Sequence, residues 1–155
     1  MWIACLIIAL SLVLDQVVKA WTVNHLALLE SQSLIPHVLS LQYIQNRGAA
    51  WGMLEGQMGF FFIITFVVVG VLTYTLYKER KQSLLLRTAL SLMIGGALGN
   101  FIDRLRLGYV VDMFRLDFID FPIFNLADVC LTLGVFLCLI YLLFFEEADH
   151  GKHSR

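Results

Sequence analysis

Met58–Tyr77 runs without a single charged side chain. A helix needs about 20 such residues to cross a hydrocarbon core of about 30 Å. Three more apolar runs lie at Ile3–Val23, Leu84–Ile102 and Ile123–Phe145. The first is broken by Asp15 and Lys19, the third carries Arg87 near its start, and the fourth carries only Asp128. The first run has no basic lead and no small-x-small cleavage site, and it keeps a polar pair, so it reads as a permanent span. The chain is 59% hydrophobic and 15% charged, with a mean hydropathy of +0.80. Soluble domains carry about 25% charge. The sequence therefore predicts a membrane all-α fold with four transmembrane helices, a single integral membrane domain over residues 1–155, with spans at 3–23, 58–77, 84–102 and 123–145.

Lys78, Arg80 and Lys81, with Arg87, form the densest basic cluster. The positive-inside rule places that turn in the cytoplasm. An even number of spans then puts both termini there, and leaves 24–57 and 103–122 on the extracytoplasmic face. Val38–Gln45 alternates apolar and polar residues, the period of a half-exposed strand. Asn46-Arg47-Gly48 reads as a turn. Residues 107–121 are apolar between charges. The extracytoplasmic segments are expected to hold a small β-sheet and an amphipathic segment on the membrane surface.

Several chemistries are absent from the sequence. A net charge of −1 without a basic block argues against nucleic acid. The three cysteines form no Cys-x-x-Cys, and the four histidines lie outside the apolar runs with no metal-binding spacing. There is no His-Glu-x-x-His, no Gly-x-Ser-x-Gly and no phosphate-binding Gly-x-x-x-x-Gly-Lys. A hydrolase built on this chain would need neither metal nor cofactor, and carboxylates would do the work.

Two aspartates stand out. Asp112 lies in Gly108–Phe114, and Asp128 opens the fourth apolar run. An intramembrane carboxylate costs roughly 2.5–3.5 kcal/mol at a helix centre. Around them are residues at helical spacing. Asp15 and Lys19 share a face, either as a neutralised ion pair or as support beneath a polar site. Asn100 and Arg104 share another. Asn125 and Asp128 share a third, where Asn125 is a helix N-cap or a site residue and Asp128 a first-turn carboxylate or a reacting one. Gly95 and Gly99 form a Gly-x-x-x-Gly that invites close helix packing. Asp103, Asp117 and Asp120 read as solvated acids.

Five segments carry a resemblance. Leu14–Lys19, Asn46–Trp51, Gly95–Arg104, Val110–Phe114 and Phe121–Asp128, in this order and across all four spans, resemble bacterial lipoprotein signal peptidase, also called signal peptidase II. The resemblance implies a four-helix aspartic endopeptidase of the bacterial inner membrane, with Asp112 and Asp128 as the catalytic pair. It implies supporting or substrate-binding roles for Asp15, Lys19, Asn46, Gly48, Asn100, Arg104 and Asn125. The implied substrate is a prolipoprotein carrying diacylglycerol on a cysteine, cut just before that cysteine. The segment Asn46–Trp51 is expected to cover it. Inhibition by the cyclic peptide globomycin is also implied, and the working unit is expected to be a monomer among membrane lipids.

In this reading the two carboxylates share one proton and activate a water without a covalent intermediate. The rival is non-enzymatic: a four-helix membrane subunit or proton relay using Asp15, Asp112 and Asp128. It predicts acids spread through the membrane depth.

Overall fold

The computed structural model describes residues 1–49, 53–81 and 83–145. The order of elements is α1 (Trp2–His25), β1 (Ser31–Ile35), β2 (Leu39–Asn46), α2 (Met58–Lys78), α3 (Leu84–Leu107), β3 (Val110–Leu116) and α4 (Leu126–Phe144). All four helices are long and apolar enough to cross a membrane. Their outward faces are apolar, with Ile63, Phe66, Val71, Leu143 and Phe144 among the exposed side chains. Apolar groups on the outside of a bundle fit hydrocarbon as the surrounding medium.

The central helix is α3, which packs against each of the other three. Glycines let it do so. A Cβ at Gly99 would sit 2.6 Å from Asp15 Oδ2 on α1 and 3.2 Å from the Ala127 side chain on α4. The Gly-x-x-x-Gly thus serves two helices at once. In contrast, α2 and α4 flank α3 with little direct packing between them.

The bundle has two different ends. Ala4, Leu72, Leu76, Leu86, Leu90, Ile94 and Tyr141 form an apolar core at one end. The other end is polar, and the sheet caps it. β1 and β2 form an antiparallel hairpin, and β3 joins the other side of β2, also antiparallel. Leu26, Leu41, Tyr43, Val111 and Met113 form the core between the sheet and α1.

The expected alternating strand at 38–45 is β2, and the apolar-rich stretch 107–121 contributes β3 rather than only a surface segment. Helix ends differ from the hydropathy runs. α3 continues past Ile102 to Leu107 and stops at Gly108, whose φ of 77° suits a left-handed C-cap. α4 starts at Leu126, three residues after the apolar run does. The reason is a backbone pairing: Phe124 N donates to Phe114 O at 3.1 Å, and Phe114 N donates to Phe124 O at 2.8 Å. Phe124 is therefore held in a bridge to β3, and Asn125 caps the helix after it.

Candidate active site

The hydrogen-bonded groups at the polar end of the bundle come from α1, α3 and α4, together with β2 and β3, and α2 supplies part of the cavity wall. Asp112 is on β3, 2% exposed, opposite Ile44 in the ladder, while Asn46 pairs with Val110. That register sets Asn46 diagonally beside Asp112, on the same face. Its side-chain nitrogen donates to Asp112 Oδ2 at 2.9 Å. The other oxygen, Oδ1, accepts from Asn125 Nδ2 at 2.6 Å.

Asp128 is in the first turn of α4. Asn125 is the N-cap, its side-chain oxygen accepting from Asp128 N at 3.0 Å, and Asp128 Oδ2 accepts from Asn125 N at 3.1 Å. This is a reciprocal capping box. Asp128 Oδ1 accepts from Asn100 Nδ2 at 2.7 Å. The two readings of Asn125 therefore coexist: it caps the helix with its oxygen and reaches Asp112 with its nitrogen. All four carboxylate oxygens of the pair receive a donor.

Both aspartates face one cavity of about 650 Å³. Asn46, Gly48, Asn100 and Arg104 line its polar side, and Ile64, Thr65 and Val68 of α2 with Val129, Thr132 and Leu133 of α4 line the rest. Arg104 lines the cavity beside Gly48. Its Nη2 donates to Gly48 O at 3.0 Å, and its guanidinium rests 4.4 Å from the centre of the Phe61 ring. Its buried Nε has no partner among the described residues. Gly48 N in turn donates to Asn46 Oδ1 at 2.9 Å, so the turn after β2 is tied to both Asn46 and Arg104. Ala50 and Trp51, the rest of the expected covering segment, lie outside the described residues.

Burial pushes the Asp112 carboxyl up to about 7, and the neighbouring Asp128 charge pushes the same way. The hydrogen bonds from Asn46 and Asn125 oppose the shift. Among the described residues no group of three His, Cys, Asp or Glu is placed to hold a metal ion.

Asp15 and Lys19 sit directly under this pair. They are ion-paired at 2.9 Å, and Lys19 Nζ also donates to Asn100 Oδ1 at 3.0 Å. One residue read from sequence as a solvated acid is placed differently. Asp103 is 3% exposed, 3.0 Å from Lys19 Nζ, and accepts from Gln16 Nε2 at 2.9 Å and Val111 N at 3.1 Å. The charged neighbours Arg104 and Arg106 suggested a wet loop, whereas α3 extends through Asp103 and turns it inward. Its spacing could have found it: Asp103 follows Gly99 and Asn100 by one helical turn. Asp117 and Asp120 are on the exposed surface.

Comparisons with known proteins show the family and the fold. The model of the family described as signal peptidase (SPase) II matches residues 7–144. The lipoprotein signal peptidase of Latilactobacillus sakei subsp. sakei (strain 23K) is 51% identical over 141 residues, 91% of this chain and 93% of that protein. The lipoprotein signal peptidase of Enterococcus faecalis (strain ATCC 700802 / V583) is 50% identical over 150 residues, 96% of this chain and 93% of that protein. A solved structure described as a bacterial membrane enzyme, obtained by the in meso method at 2.3 Å, superposes with a TM-score of 0.89 at 43% identity, covering 92% of this chain and 88% of that one. With a matched family model over nearly its whole length, and with relatives of this identity and coverage, the chain belongs to the signal peptidase II family.

Proposed function

We propose that this chain is an aspartic endopeptidase that removes the signal peptide from diacylglyceryl-modified prolipoproteins, cutting just before the lipidated cysteine. The observation that carries the reading is the pair Asp112 and Asp128 on one cavity wall, with a donor on each of their oxygens. Two carboxylates this closely coupled share a proton near neutrality. Burial and the neighbouring Asp128 charge raise the Asp112 carboxyl to about 7, which favours Asp112 as the member that holds it. Asp128 takes a proton from water, and the resulting hydroxide attacks the scissile carbonyl carbon. Asp112 donates its proton to the carbonyl oxygen. The tetrahedral diol collapses as the C–N bond breaks: Asp112 takes back a proton from one diol hydroxyl as the carbonyl re-forms, and Asp128 passes its proton to the leaving amine.

The supporting residues follow from their contacts. Asn46, Asn100 and Asn125 orient the two carboxylates. Arg104 holds Gly48 through its guanidinium and lines the cavity beside the aspartates. The apolar walls from α2 and α4 suit a signal peptide and acyl chains that stay in the bilayer. A single copy of the chain supplies every residue named here, as a monomeric enzyme requires. Globomycin-type cyclic peptides would compete for the same cavity.

The orientation follows from the basic turn after α2. Lys78 and Arg80 lie at the end of the bundle opposite the aspartates, as do the start of α1 and the end of α4. With that turn on the cytoplasmic side of the bacterial cytoplasmic membrane, both termini are cytoplasmic and the aspartates lie near the extracytoplasmic face. The proton-relay reading loses ground for the same reason. Asp15, Asp103, Asp112 and Asp128 cluster at one end, and the other end has an apolar core.

The test is cleavage of a diacylglyceryl-modified prolipoprotein by purified protein in detergent, with Asp128→Asn as control and globomycin as probe. Cleavage before the lipidated cysteine, lost in the variant and blocked by the inhibitor, is expected. A folded wild type that leaves a competent substrate uncut would overturn the assignment.

A further inference from the structure

Beneath the two cavity aspartates lies a second carboxylate pair, joined by one cation. Asp15 is on α1 and Asp103 on α3, 1% and 3% exposed. Lys19 Nζ is 2.9 Å from Asp15 Oδ2 and 3.0 Å from Asp103 Oδ2. It also donates to Asn100 Oδ1 at 3.0 Å. These three acceptors match the three N–H groups of an ammonium.

Each lower carboxylate grips the backbone beside an upper one. Ala127 N donates to Asp15 Oδ1 at 2.9 Å, and Ala127 immediately precedes Asp128. Val111 N donates to Asp103 Oδ2 at 3.1 Å, and Val111 immediately precedes Asp112. The strand that carries one upper aspartate and the helix that carries the other are thus tied to the same ammonium.

Asn100 completes the arrangement. Its oxygen accepts from Lys19, and also from Asn125 Nδ2 at 3.0 Å. Lys19 has no acceptor to offer, so this oxygen must face it. The amide nitrogen is then forced toward Asp128.

We infer that Asp15, Lys19 and Asp103 form a clamp that sets the spacing of Asp112 and Asp128 and the direction of their hydrogen bonds. Lys19 and Asp103 are positioning residues for cleavage, and Asp15 with Lys19 is more than an ion pair holding two helix turns together. Buried ion pairs are a poor source of stability, since apolar residues of similar volume often serve as well or better. A bridging cation between two anchors does what apolar packing cannot: it fixes polar backbone groups at set positions. The inference rests on Asp112 and Asp128 being the reacting pair.

The experiment uses the full chain in detergent with a lipidated prolipoprotein, and compares wild type, Asp112→Asn, Asp103→Asn and Lys19→Arg. Thermal unfolding reports the folded state, and initial rates give kcat and KM. Misplacing a reacting group by about 1 Å costs about a hundredfold. Asp103→Asn is therefore expected to lose about a hundredfold in kcat with KM within about threefold. Lys19→Arg keeps the charge, but its planar fork cannot meet three acceptors from one point. It is expected to stay folded, keep KM and lose about tenfold or more in kcat. Wild-type kcat in folded Lys19→Arg overturns the clamp, even if Asp103→Asn fails to fold. So does an Asp103→Asn protein that changes only KM. A silent wild type, or an active Asp112→Asn, would instead overturn the assignment of the reacting pair, and the clamp would fall with it.

Discussion

The side-chain nitrogen of Asn125 lies 2.6 Å from Asp112 Oδ1, while its side-chain oxygen accepts from Asp128 N at 3.0 Å. One amide therefore serves both aspartates, one as a hydrogen-bond donor and the other as a helix cap. Asn125→Ser separates these roles. A serine caps as well as an asparagine but cannot reach Asp112 with a donor. Asp112 becomes charged as it gives up its proton, and a hydrogen bond to a charged group is worth roughly 1.5–3 kcal/mol. The expected outcome is a folded protein, less stable by about 1–3 kcal/mol for the buried acceptors that lose a donor, with kcat lower by roughly tenfold to a hundredfold. Full activity in this variant would show that the Asn125–Asp112 contact does nothing for the reaction.

Asp112→Asn and Asp128→Asn should each remove cleavage while leaving a folded protein. General acid–base groups contribute roughly a hundredfold to ten-thousandfold. Because the two act as one unit, the double variant should be little worse than either single one. Single-turnover assays on all three would read this directly. Losses that multiply would mean that the two carboxylates act independently.

The titration of Asp112 links activity and stability to pH in a stated direction. Its carboxyl is raised from 3.8 to about 7 in the folded protein. Between those values the folded state binds more protons than the unfolded one, so this group's contribution to stability falls as pH rises through that window. It is fully present below the unfolded value and lost above about 7. The wild type should therefore lose more thermal stability between pH 5 and pH 8 than Asp112→Asn does. Activity should decline on the alkaline side near 7, where the proton that Asp112 donates is lost. Parallel stability curves for the two proteins would remove Asp112 as their source.

Much of this was legible in the chain, and the misreadings have physical causes. The four apolar runs, the alternation in Val38–Gln45 and the Asn125–Asp128 spacing each carry a period that local geometry enforces. Asn100, Asn125 and Arg104 were visible as polar groups at a membrane helix or its edge, whereas Asn46 showed only as part of a turn and its supporting role came from the resemblance. Asp103 was not visible, because hydropathy around it falls and a falling hydropathy looks like a loop. Only the continuation of α3 to Leu107 turns it toward Lys19. The start of α4 was misplaced for a related reason. Ile123 and Phe124 are apolar enough to belong to a span, but the Phe124 backbone is committed to Phe114. Non-local pairing of that kind leaves no periodic trace in the sequence.

Two glycines in helices give a paired prediction about how the clamp is housed. At Gly99 a Cβ would lie 2.6 Å from Asp15 Oδ2, whereas at Gly70 on α2 nothing lies within 4 Å. Asp15 cannot move aside, because Lys19 and Ala127 N hold its oxygens at 2.9 Å each. Gly99→Ala should thus lose about 1–3 kcal/mol to overpacking. The gain in helix propensity, about 1 kcal/mol, does not offset this. Because the displaced group is Asp15, activity should fall further than the folded fraction does. Gly70→Ala meets no obstacle and keeps the propensity gain, so its unfolding midpoint should rise by a few degrees with cleavage unchanged. Thermal unfolding in detergent and cleavage rates on the two proteins make the comparison. Equal tolerance at both positions would mean that α1 and α3 do not approach each other as closely at Gly99 as the structure has them.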